Sequence, residues 1–136
     1  MSREPLFTID VNLTENHMIT GPQGTLNMVL FTGRCDCDFF HGEILSGGVD
    51  TQMYLQGEPG RLSARYMLRG TDAEGRRTHI FIENNGVHGA DTPTVTTPYI
   101  LTDNEHLAWL TQEKLTGRLE VHEGGVRILF YREGEA

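Results

Sequence analysis

Asp50 and Gln52 stand two residues apart, and a second series, Arg61, Ser63, Arg65, Met67 and Arg69, keeps the same spacing a few residues on. On a strand, residues two apart share a face, so Asp50 and Gln52 form one side-chain pair that a neighbouring strand could present to Arg65. A guanidinium fork beside a carboxylate can hold the carboxylate or enolate of a ligand, with Arg65 as anchor and Asp50 as proton acceptor. Glu83, if shielded from water, offers a second base, because desolvation raises a carboxyl pKa. Tyr66 offers a phenolic donor to a carbonyl. Each group also has a plainer reading: a salt bridge that only fixes strand register, a core aromatic with its hydroxyl capped, a glutamate in solvent. Periodicity cannot say whether the arginine face or the face of Leu62, Ala64, Tyr66 and Leu68 looks inward.

The six histidines, His17, His41, His79, His88, His106 and His122, show neither a His-x-His pair nor a His-Glu-x-x-His helix, so no metal is expected. Distant residues can converge in a barrel, and His41, His79 and His88 are the first candidates to do so; His41 and His88 are also read as ligand contacts. Cys35 and Cys37 in Arg-Cys-Asp-Cys would share a strand face and strain any bridge between them, so they read as reduced thiols. A phosphate loop, a dinucleotide fingerprint and a Gly-x-Ser-x-Gly elbow are all missing, so the residues point to no cofactor.

The elements that must position these groups are short strands divided by glycine-bearing turns. Phe7, Ile9, Val11 and Leu13 alternate with polar residues, and further strands follow at His17 to Thr20, Thr25 to about Arg34, Phe39 to Leu45 and Val49 to Leu55. The stretch from Gly60 to Gly86 reads as a hairpin about the turn Thr71 to Gly75, with Asn84-Asn85-Gly86 as the next sharp turn. After an irregular stretch to Pro98, a strand Tyr99 to Thr102 leads to one helix between Asn104 and Leu115. Strands Arg118 to His122 and Val126 to Tyr131 close the chain through Glu123-Gly124-Gly125. This pattern predicts an all-β fold, an antiparallel barrel or sandwich with one short C-terminal helix, in a single domain over 1–136. The chain has 136 residues and a net charge of -8, with Lys114 its one lysine and its arginines scattered among acids. No basic stripe suits nucleic acid, and no apolar run reaches the ~20 residues of a membrane helix. A cytoplasmic location is expected. Apolar residues on both faces of Thr25 to Phe31 predict a homodimer.

Read in order, Gly47-Gly48-Val49-Asp50-Thr51-Gln52, Ala64 to Arg69, Ile80 to Gly86, Thr96-Thr97-Pro98 and Trp109-Leu110 resemble the DUF3237 family of small bacterial and fungal proteins, also known as UPF0311. The likeness runs from about Leu6 to Tyr131. It implies a closed or nearly closed barrel, lipocalin-like or allene-oxide-cyclase-like in shape, with an internal cavity. Carried over position by position, it marks Asp50, Gln52, Arg65, Tyr66, Asn84, Gly86, Thr97 and Trp109. Thr51 stands where the family usually has tryptophan, and Thr111 where it usually has asparagine. The functional expectation is a small-molecule-binding barrel acting as a cofactor-free isomerase, cyclase or lyase on a small oxygenated compound. Asp50, Arg65, Glu83 and Tyr66 would be catalytic, and Gln52, Asn84, Thr97, Trp109, His41 and His88 would contact the ligand. The alternatives are a carrier for a small apolar molecule and a dimeric structural protein whose cavity is filled by its own side chains. Asp50, Gln52, Arg65 and Glu83 are expected to project into one space.

Overall fold

Alternation of apolar and polar side chains is cleanest between residues 61 and 69, where Leu62, Ala64, Tyr66 and Leu68 are buried and Arg61, Arg65, Met67 and Arg69 are exposed. The inward face is therefore the apolar one, and the three arginines look outward. The computed structural model describes residues 4–88 and 94–133. Its strands are β1 (Phe7–Gly21), β2 (Gly24–Cys37), β3 (Phe40–Ile44), β4 (Val49–Leu55), β5 (Arg61–Asp72), β6 (Arg77–Val87), β7 (Val95–Thr102), β8 (Leu115–His122) and β9 (Gly125–Arg132). A 3₁₀ turn, Glu105–Leu107, and one helical segment, α1 (Ala108–Gln112), lie between β7 and β8.

Neighbouring strands pair antiparallel throughout, and β1 pairs with both β2 and β9, so the sheet returns on itself as a closed barrel. The nine strands of the described residues occupy eight positions. Both β3 and β4 lie between β2 and β5, β3 beside Arg34 to Cys37 and β4 beside Gly24 to Leu30. Closure pairs each strand with neighbours on two sides, which is how an all-β chain limits edge-to-edge pairing with other chains, although β7 and β8 meet only at Val95–Arg118 and Thr96–Gly117.

The core is the row of inward residues from all sides, among them Ile9, Phe31, Phe40, Leu68, Ile82, Ile128 and Phe130. One end is closed by the β7–β8 connection, whose Leu107 and Leu110 join that core. Beneath it, buried Asn104 donates to Asp72 Oδ2 at 2.9 Å and to Thr78 Oγ1 at 2.8 Å while its own Oδ1 caps the 3₁₀ turn through the His106 N–H. Burial pushes the Asp72 carboxyl up, but hydrogen bonds from Asn104, Arg76 and the Glu74 N–H outweigh it and hold the group well below the usual carboxylate range.

Three expectations need correcting. Asn84-Asn85-Gly86 is not a turn, because each residue is paired on both sides, to Ala64, Ser63 and Leu62 of β5 and to Pro98, Thr97 and Thr96 of β7. Ladder pairing on two flanks outweighs the turn preference of these residues. β7 begins at Val95, ahead of the expected Tyr99, with Pro98 at a position where β7 pairs only with β6. The rest of the irregular stretch, 89–93, lies outside the described residues. The helix is shorter than Asn104 to Leu115, since Glu113 already has extended backbone and Leu115 belongs to β8.

Candidate functional site

Residues opposite one another on an antiparallel ladder share a face. Asp50 lies opposite Ala64, which lies opposite Asn84, so the two polar side chains flank an alanine on the inner wall. Tyr66, the next inward residue of β5, borders the same alanine. One row further from α1 run Gln52, Leu62, Gly86, Thr96 and Gly117, and beyond these come Tyr54 and His88. Small residues at 64, 86 and 117 leave the polar groups room. Gly117 is the sharpest case, because a Cβ there would collide with Thr96 Oγ1 and would reach 3.5 Å from Asn84 Nδ2.

Hydrogen bonds run inward from the rim. His88 Nδ1 meets Thr94 Oγ1 at 3.0 Å, and its Nε2 meets the Tyr54 hydroxyl at 3.3 Å beneath a ring stack of 5.7 Å. Gln52 joins Tyr54 at 3.4 Å and donates from Nε2 to Asp50 Oδ2 at 2.9 Å. Asp50 Oδ1, the Tyr66 hydroxyl, Asn84 Oδ1 and Thr96 Oγ1 are each buried with no hydrogen-bond partner among the described residues. A buried polar atom without a partner costs roughly 1–3 kcal/mol, so four around one patch of wall are expensive as pure structure.

Electrostatics divide the roles. Burial pushes the Asp50 carboxyl up, against hydrogen bonds from Gln52 and the Ser63 N–H and the attraction of His88, which pull it down; burial prevails. Burial also pushes the Tyr66 hydroxyl up, helped by Cys35, so Tyr66 stays a neutral donor at any physiological pH. The site thus pairs a desolvated carboxyl with a phenol that keeps its proton.

The sequence-derived candidates separate into two groups. Asp50, Gln52, Tyr66, Asn84 and His88 share the inner wall. Arg65 and Glu83 do not, which corrects the expectation of one common space: they lie opposite each other on the outer face and bond Nε to Oε2 at 2.8 Å, with Glu83 held below the usual carboxylate range by Asn85 and Arg65. Register explains this, because Arg65 is one residue away from both inward Ala64 and inward Tyr66. Thr97 is likewise exposed, and Thr96 is the inward residue that was missed. The alternation Thr96, Pro98, Ile100 held the signal for it. His41 faces outward to Asp36 at 3.0 Å, and His79 pairs with Asp103 at 2.8 Å, so these two histidines and His88 do not converge. Among the described residues no group of three or more His, Cys, Asp or Glu is placed to hold a metal ion. Trp109 sits at the opposite, helix-closed end, partly exposed, its ring edge-on to Phe39 at 5.1 Å. Of the two departures from the family pattern, Thr51 lies on the outer face beside Ser63, and the Thr111 hydroxyl donates to the Ala108 carbonyl of α1. Cys35 and Cys37 are free thiols, and the hydrogen bond from Cys35 pulls the Cys37 thiol down to about 7.

Fold and wall together define a closed antiparallel β-barrel with a polar inner surface gathered at the end away from α1. The chain belongs to the family described as Protein of unknown function (DUF3237), whose sequence model matches residues 1–132. It is 30% identical over 90 residues to a UPF0311 protein of Clostridium acetobutylicum, a match that spans 64% of this chain and 54%, about half, of that relative. A crystal structure of a protein with unknown function from Clostridium acetobutylicum superposes with a TM-score of 0.80 at 24% identity, covering 97% of this chain and 99% of the other. A conserved protein of unknown function from Rhodopseudomonas palustris follows at 0.76 and 20% identity, covering 95% of each chain. A beta-barrel like protein from Acinetobacter baumannii gives 0.72 at 19%, covering 96% of this chain and 94% of the other. These likenesses share the barrel.

Proposed function

We propose that the barrel binds a small oxygenated molecule at the end away from α1 and moves a proton on it without a cofactor, as an isomerase, cyclase or lyase does. The observation that carries this reading is the set of four buried polar atoms on Asp50, Tyr66, Asn84 and Thr96 that have no partner among the described residues, with Asp50 and Asn84 flanking Ala64. Asp50, whose carboxyl burial pushes up, is the proton acceptor, because a base poised nearer neutrality is a better match for carbon acids. Tyr66 donates its hydroxyl to the developing enolate oxygen, an interaction strengthened in a dry site. The Asn84 carbonyl and Thr96 hydroxyl orient the ligand's own hydroxyl or amide, and Gln52 fixes Asp50 in place. Tyr54 and His88 form the rim. A carrier for a purely apolar molecule would leave all four polar atoms unpaired, which disfavours that alternative.

Titration of the Asp50 carboxyl by carbon-detected NMR tests the base directly, and an ordinary or depressed pKa overturns it. Deuterium exchange into cyclohexane-1,3-dione tests the chemistry, with exchange expected above the buffer rate in the parent protein and lost in Asp50→Asn. A reducing cytosol suits the free thiols of Cys35 and Cys37. Self-association as a homodimer belongs to the same proposal, through the outward row of Met67, Phe81 and Leu101; sedimentation equilibrium giving a monomer at micromolar concentration removes it.

A further inference from the structure

The outer wall carries a second concavity that the interior site does not use. Thr51, Ser63, Asn85 and Thr97 lie side by side on β4, β5, β6 and β7, a row of short polar side chains facing outward. The rows on either side carry longer arms, Met53 and Arg61 with Val87 and Val95 in one, Arg65 and Glu83 with Val49 in the other. The arms of Met53, Arg61 and Arg65 on either side of the short row wall an open groove of about 780 Å³. Four strands at a spacing of ~4.8 Å make it roughly 14 Å long. That volume is in the range of small-molecule sites, and the walls mix apolar surface with a few convergent polar groups.

Charge decides what would fit. The chain carries 19 acidic against 11 basic residues, and Arg34, Arg65, Arg76, Arg127 and Arg132 each hold a carboxylate. Arg61, in the groove wall, meets only the weak acceptor Met53 Sδ at 3.9 Å among the described residues. Arg118 lies opposite Val95 on the same outer face, and its Nε is buried with no partner among the described residues. Arg65 spends its Nε on Glu83. In an acidic protein, Arg61, with no carboxylate among the described residues, beside Arg65, which meets Glu83 through Nε, suits an anion brought from outside. Ser63, whose hydroxyl bonds to Asn85 Oδ1 at 2.6 Å on the groove floor, stands between Arg61 and Arg65 on the outward row of β5. Val87 and Val95, both exposed, continue the wall as apolar surface.

We propose that this outer groove binds a small organic anion with an apolar body, its carboxylate or phosphate held between Arg61 and Arg65 above Ser63 and its body lying along Val87 and Val95. The site is on the opposite side of the wall from Asp50 and Tyr66, so it stands or falls independently of the interior reading.

The test uses nitrogen-15-labelled protein, the arginine Nε–H signals as reporters, and phenylacetate, phenyl phosphate and neutral 2-phenylethanol as probes. Saturable shifts of Arg61 and Arg65 with either anion, with 2-phenylethanol much weaker and the Asn84 side-chain amide unmoved, are expected. The anion that binds more tightly assigns the head group. Arg61→Gln should weaken binding about tenfold or more, the loss of a charge-assisted contact, while Arg69→Gln, on the same strand beyond the groove, changes nothing. Thermal stability of both variants should match the parent, which separates loss of a contact from loss of fold. Equal shifts at Arg69 and Arg127, equal binding of 2-phenylethanol, or no saturable shift at all overturns the proposal. So does a parent protein found dimeric by sedimentation whose dimer Arg61→Gln dissolves, which makes the groove an interface between copies.

Discussion

Replacing Tyr66 with phenylalanine removes a single oxygen from the deepest part of the inner wall. The residue is only 3% exposed and its hydroxyl has no partner among the described residues. Its ring packs edge-on against Phe31 at 5.4 Å and 73°, a contact that phenylalanine keeps. The unmet hydroxyl costs the fold roughly 1–3 kcal/mol, and deleting the oxygen gives back most of that, less a small loss of packing against its former neighbours. A net gain of about 1 kcal/mol follows, and at about 2.1 cal/mol/K of unfolding entropy per residue it raises Tm by about 3–4 °C. Function should move the opposite way. A ligand oxyanion that loses this donor loses roughly 1.5–3 kcal/mol, at least tenfold in affinity or rate. Differential scanning calorimetry and the deuterium-exchange assay, run on the same preparation, read both quantities. A Tyr66→Phe protein destabilised by about 1 kcal/mol or more refutes the reasoning, because the hydroxyl must then already have a structural partner.

Asp50→Asn should be more stable than the parent at neutral pH and lose that advantage in acid. The folded pKa of Asp50 is raised, so the carboxyl favours the fold below its unfolded pKa and penalises it as pH rises through the folded value; urea unfolding from pH 3 to pH 8 follows the crossover. Asn104→Ala should cost about 1 kcal/mol for the lost cap and about as much again for the hydrogen bond to Thr78, read from urea midpoints. Asp72 has the opposite sign from Asp50: its folded pKa is depressed, so its contribution is present above the unfolded carboxyl pKa and fades as pH falls, and Asp72→Asn should flatten the acid limb of the stability profile. Gly117→Ala should destabilise by about 1–3 kcal/mol through the clash with Thr96 Oγ1, and Thr96→Ala in the same chain should recover part of the loss, a coupling that a double-mutant cycle measures.

The barrel was legible because strand alternation is a local signal, and the wall obeys it from Phe7 to Val11 and from Leu62 to Leu68. The pairing of Asp50 with Gln52 on one face was legible for the same reason, and the structure joins them directly. Which face turns inward was not. Arg61, Ser63, Arg65 and Met67 alternate as regularly as Leu62, Ala64, Tyr66 and Leu68, and only the sum over all strands, with Ile9, Ile82 and Phe130 on the same side, decides the matter. That choice moved Arg65, Glu83 and Thr97 outside and brought Thr96 in. Asn84 to Gly86 misled for a related reason: their turn preference is local, while the two flanking ladders that hold them extended come from residues 62–64 and 96–98. The outer groove was invisible because it arises from the length of side chains across four strands, which no single stretch of sequence displays.

The pairing of β1 with β9 puts residues 7–12 against residues 125–130, nearly the full span of the chain, and this has a consequence during synthesis. At roughly 5–20 residues per second, the first strand waits for the last on the order of ten seconds after it leaves the ribosome. Throughout that interval the hydrogen-bonding edge of Phe7 to Asn12 is bare, with Ile9 and Val11 beside it. A nascent chain halted before Gly125 therefore carries a sticky, half-made wall that any other halted copy can extend. The cell should treat truncated forms of this protein as clients for chaperones or proteases, and the release of residues 125–132 is the event that makes the molecule indifferent to its neighbours.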